Sequence, residues 1–106
     1  AAGTKRMLNN FETIGLKVTG VGGVNANTAG AVVMNTTVAS PTQGGHITVF
    51  PAGTIRPLAS SVNFSQWQDV PNLVTVKVGA GSVVNLYTMT AGQTSLIADV
   101  AGFYIK

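Results

Sequence analysis

The chain has 106 residues and no cysteine, which is long enough for one domain with a core burying roughly two thirds of the unfolded surface and excludes disulfides, thiolate nucleophiles and thiolate-ligated metals. Charged residues make up 8% of it, six Lys and Arg against three Asp and Glu for a formal charge of +3, where a soluble domain usually carries roughly 25%. Only Lys5 and Arg6 are adjacent, so no basic stripe for nucleic acid is visible, and no apolar run approaches the roughly 18 residues that span a bilayer.

Helix signals are nearly absent and β-branched residues recur throughout, so strands are the default. The opening AAGTK suits a mature end left after export. TIGLKVT alternates Ile14, Leu16 and Val18 against Thr13, Gly15, Lys17 and Thr19, the period of a half-buried strand. GVGGVNANTAG (20–30) reads as a loop, and AVVMNTTVA (31–39) as the next strand. After the turn SPTQGG comes HITVFP, with Ile47 and Val49 on one face and His46, Thr48 and Phe50 on the other. AGTIRP turns into LASSVNF, in which Leu58, Ser60, Val62 and Phe64 share a face. The loop SQWQDVP precedes NLVTVKV, GAGS turns the chain into VVNLYTM, and TAGQT leads to the final SLIADVAGFYI. About seven strands with turn chemistry between them predict an all-β antiparallel sandwich, jelly-roll or immunoglobulin-like, as a single domain over residues 1–106.

The blocks KVTGVGGV, AVVMNTTVASPTQGGHITVFPAGTIRPLASSVNF, VPNLVTVKVGAGSVVNLY and LIADVAGFY together resemble the repeat domain of many secreted actinobacterial proteins, where it occurs in tandem or beside cell-wall hydrolases. The resemblance covers about residues 16 to 104. Members usually begin with an Arg-Leu-Leu-Asp-Thr-Arg block, which KRMLNNFETIG matches only at Arg6 and Leu8, and the loop holding Trp67 and Asp69 also departs from the pattern. The resemblance implies a non-catalytic accessory or surface module outside the cell and supplies no ligand.

Few residues are equipped for chemistry. Asp99 sits in an apolar strand, where a carboxylate needs backbone amides or a cation to offset its desolvation. Arg6 and Arg56 are the candidate cations, with Ser60 and Ser61 as neutral alternatives, so the expectation is a structural polar core of Asp99, Arg6 and Arg56. Glu12, Asp69 and Asp99 are the only acids, and nothing in their spacing recommends the facing pair that glycoside hydrolysis uses. His46 is the one imidazole, and no strand-turn-helix elbow surrounds a serine for it to activate. GVGG and GAG lead into no helix, so they read as turns and not as phosphate cradles. A metal site and a cofactor are not expected.

Trp67, flanked by Gln66, Gln68 and Asp69, is the candidate contact residue, as a loop anchor in the chain's own core, an interface hot spot or a stacking platform for sugar. The expected function is a secreted, non-enzymatic structural module of the cell surface. Its partners are other copies or other surface proteins, met through strand edges or neutral Thr- and Asn-rich faces. The alternative is a module that binds carbohydrate or cell-wall polysaccharide.

Overall fold

The computed structural model describes residues 3–18 and 29–105. Eight strands lie among them: β1 (Gly3–Asn9), β2 (Thr13–Lys17), β3 (Ala29–Ala39), β4 (Gly45–Pro51), β5 (Val62–Phe64), β6 (Val70–Lys77), β7 (Val83–Thr90) and β8 (Gln93–Ile105). They form two four-stranded antiparallel sheets, ordered β1-β8-β3-β6 and β2-β7-β4-β5. The expected antiparallel β-sandwich is therefore present. The glycine- and asparagine-rich loop expected over residues 20–30 lies, apart from its last two residues, outside the described part.

Period-2 alternation builds the core. In β8, Leu96, Ala98 and Val100 are buried while Asp99 and Ala101 face out, and in β3 Val32, Met34, Thr36 and Val38 point inward. These meet Ile14, Ile47, Val49, Val84 and Leu86 from the second sheet, so the sandwich closes on branched aliphatic side chains. Two contacts tie the flanks across the layers. Arg6 Nη2 donates to Glu12 Oε2 at 2.9 Å on the β1/β2 side, and Asn72 Nδ2 donates to the Ser61 carbonyl at 2.7 Å on the β5/β6 side.

The two outer faces differ. Thr48, Phe50 and Tyr87 point away from the core of the second sheet, yet all three are buried. Residues 52–61 run back over that side as a strap. The Thr48 hydroxyl donates to the Ala59 carbonyl at 3.2 Å, Val49 N–H donates to the Ser61 hydroxyl at 3.0 Å, and the Arg56 guanidinium lies 3.7 Å from the centroid of the Tyr87 ring. This corrects the strand expected over 58–64. Only Val62 and Phe64 keep the buried face, and Leu58 is 101% exposed. Pro57 has no N–H for a ladder, and the segment after it bonds as a strap instead.

β1 was not among the expected strands, because its sequence does not alternate and Leu8 is the one fully buried side chain in it. It is an edge strand carrying Lys5 and Arg6. The other edges carry Lys17 on β2, Pro71 and Lys77 on β6, and β5 is three residues long. Charges, proline and shortness all discourage another chain from adding to a sheet edge.

Candidate functional site

Asp99 is exposed, which corrects the expected buried cluster. It lies opposite Asn35 and Gly3 on the outer side of the first sheet. The run Leu-Ile-Ala-Asp-Val-Ala is apolar on both sides of the strand, but its period places Ala98 and Val100 inside and Asp99 outside. Neither cation reaches it. Arg6 pairs with Glu12, whose other oxygen accepts from Asn9 N–H at 3.0 Å, and Arg56 is committed to Tyr87 on the opposite sheet. Ser60 donates to Asn63 at 2.9 Å and Ser61 serves β4, so the neutral alternatives are also elsewhere. His46, half-buried in β4, stands between Asn63 and Met89. The three acids thus belong to three separate places: the β1–β2 turn, the β5–β6 loop and the outward side of β8.

Trp67 is 66% exposed, so the side chain is displayed rather than anchored in the core. Its backbone is left-handed, with φ of 61°, a conformation that costs a bulky residue of order 1 kcal/mol or more. The loop is fastened around it. Trp67 N–H donates to the Pro41 carbonyl at 2.7 Å, Ser65 N–H donates to Gln68 Oε1 at 3.0 Å, and Ser40 N–H donates to Asp69 Oδ1 at 2.8 Å. Gln68 and Asp69 therefore hold the loop, which leaves Gln66 as the flanking amide whose side chain is not used in that way.

Phe11 was not singled out from the sequence, although the Asn9-Asn10 pair before it is turn chemistry. It repeats the arrangement of Trp67: 66% exposed, φ of 62°, with its N–H donating to the Thr88 carbonyl at 2.9 Å. Both residues stand at the same end of the sandwich, where the β1–β2, β3–β4, β5–β6 and β7–β8 connections meet. Gln93 links these connections, donating from Nε2 to Asn9 Oδ1 at 2.7 Å and from its backbone to the Thr42 hydroxyl at 2.9 Å.

The second candidate is the outer side of the first sheet. Across its strands run Met7, Lys5, Ser95, Ile97, Asp99, Ala31, Val33, Asn35, Thr37, Leu73, Thr75 and Lys77, by register. Met7 and Leu73 are well exposed, and among the described residues no segment crosses this face. It is built largely of uncharged side chains, has one acid between two lysines, and carries the exposed Tyr104 opposite Ala31 at its far end.

No family model matches the chain, nor does any curated protein or solved structure.

Proposed function

We propose that the protein is a non-catalytic, extracellular structural module whose copies associate through the outer face of the first sheet. The single observation that carries this reading is the contrast between the two outer faces. The chain covers one with its own strap, burying Thr48, Phe50 and Tyr87, and leaves the other open with Met7 and Leu73 in water. An uncovered sheet face whose edges are guarded points to face-to-face rather than edge-to-edge contact. What supports an extracellular place is the resemblance of residues 16 to 104 to a repeat of secreted proteins, together with the low charge of the chain.

Charge and area favour a second copy as the occupant. Asp99, Lys5 and Lys77 share the face and make no ion pair among the described residues, so an identical face offers each sign its opposite. Four strands at about 4.8 Å and seven residues at about 3.4 Å give roughly 500 Å² per copy. Two faces together bury roughly 1,000 Å², at the low end for specific contacts. Single contacts are therefore weak, and repetition along an array or a tandem chain makes them effective.

Sedimentation velocity over a wide concentration range tests this. Average mass should rise with concentration, and Leu73→Asp, which adds a charge to the face without touching the core, should hold the protein monomeric. A strict monomer at every concentration, or association unaffected by Leu73→Asp, overturns the reading.

A further inference from the structure

The loop end is independent of the open face and has its own chemistry. Its two exposed aromatics are presented alike, in left-handed backbone fixed by an N–H hydrogen bond, from Phe11 to the Thr88 carbonyl of β7 and from Trp67 to the Pro41 carbonyl of the β3–β4 connection. Phe11 follows β1, and Trp67 lies between β5 and β6, so they occupy opposite flanks of this end, three strand spacings apart, or about 14 Å. The floor between them is continuous. The exposed Asn10 and Gln93 and the half-buried Thr42 lie along it: Gln93 N–H donates to the Thr42 hydroxyl at 2.9 Å, while beneath them the buried Thr90 gives its N–H to Asn10 Oδ1 at 3.1 Å and its hydroxyl to the Gly44 carbonyl at 3.1 Å. Gly92 packs against the Thr42 hydroxyl where a Cβ would intrude, so this floor is backbone-tight.

The groups on this floor are amides, hydroxyls and peptide carbonyls. Nearby, Arg6 and Glu12 neutralise each other, and Asp69 keeps its charge while accepting from the Ser40 amide, so this end shows no unpaired cation for an acidic partner among the described residues. A partner matched to this surface has hydroxyls to exchange with amides, apolar C–H faces to lay on aromatic rings, and no net charge. Sugar rings have all three, because their C–H hydrogens meet the electron-rich face of an aromatic ring.

We infer that this end of the sandwich binds an extended, uncharged polysaccharide, with Phe11 and Trp67 as two separate stacking platforms and Gln66 as a hydroxyl partner beside the second. One sugar ring cannot reach both platforms, so the ligand is a chain long enough to bridge them. Each platform alone is an open surface and holds a sugar weakly. Joining two such contacts through one polymer makes the second intramolecular and raises the affinity.

The test is affinity electrophoresis of the full chain in gels containing soluble β-1,4-, β-1,3- or α-1,4-linked glucans, with polygalacturonate as an anionic control. The variants are Phe11→Gly and Trp67→Gly, since glycine takes a positive φ without strain and keeps the loops in place. Their thermal midpoints, at or above that of the unaltered chain, verify folding. At least one neutral glucan should retard the protein, and each substitution should weaken the retardation by roughly tenfold or more. Oligosaccharides of the retained glucan should bind more tightly as they lengthen. The inference is overturned if no neutral glucan retards the protein, if polygalacturonate does so more strongly, or if a disaccharide binds as well as the polymer. Binding that survives either glycine substitution also overturns it.

Discussion

Thr36 on β3 and Thr88 on β7 point into the core with 0% exposure, and neither hydroxyl has a hydrogen-bond partner among the described residues. A hydroxyl buried without a partner costs about 1 to 3 kcal/mol relative to water. Valine has nearly the same shape and puts a methyl where the hydroxyl was, so the unpartnered polar group is removed without opening a cavity. Thr36→Val should therefore stabilise the protein by about 1 to 2 kcal/mol, which for a chain of this size raises the melting temperature by about 5 to 10 °C. Thr90 supplies the opposite case. It is equally inward and buried, but its hydroxyl donates to the Gly44 carbonyl at 3.1 Å and accepts from Gly92 N–H at 3.3 Å. Thr90→Val should lower stability by about 1 to 2 kcal/mol, because both backbone groups are left without a partner. Urea unfolding reads the pair, with a shift in midpoint at constant slope. The reasoning is refuted if Thr36→Val and Thr90→Val change stability in the same direction.

Asp99→Asn removes a charge from an exposed site with no partner among the described residues, and its unfolding midpoint should stay within about 0.5 kcal/mol of the original; a loss of several kcal/mol would restore the buried reading. Arg56→Ala should cost about 0.5 to 1 kcal/mol, the worth of a guanidinium over an aromatic ring at a partly exposed site, seen in the same urea titration. Acrylamide should quench Trp67 efficiently and its emission should lie at long wavelength, since the indole is 66% exposed; a blue, protected emission contradicts the position of the loop.

The alternation in β2 and the inward pair Ile47 and Val49 in β4 were plain in the sequence, and so was the sandwich, because period 2 in branched residues has one structural meaning. Local pattern fails where a distant segment decides the environment. Thr48 and Phe50 read as an outward, solvated side of HITVFP, and become buried only because residues 52–61 return across them. The reverse holds at Asp99, whose apolar neighbours suggested burial although nothing described covers its side of the sheet. β1 shows no pattern of its own, since an edge strand need bury only Leu8 to be held by the ladder to β8. At the loop end, Trp67 stood out by its type, whereas the use of Gln68 and Asp69 as loop fasteners depends on backbone groups at Ser65 and Ser40 that spacing does not reveal. Phe11 gave no signal beyond its Asn-Asn turn, and its likeness to Trp67 exists only in the folded chain.

The central claim is that copies meet through the outer face of the first sheet, and the absence of native cysteine makes it directly measurable. A single cysteine placed at Thr37, in the middle of that face, or at Asn63, outward on the strapped sheet, can be joined to its counterpart by a short bis-maleimide. Thr37→Cys should give covalent dimers whose yield rises with protein concentration, while Asn63→Cys stays monomeric. Dimers from Asn63→Cys alone, or from neither variant at any concentration, would contradict the account.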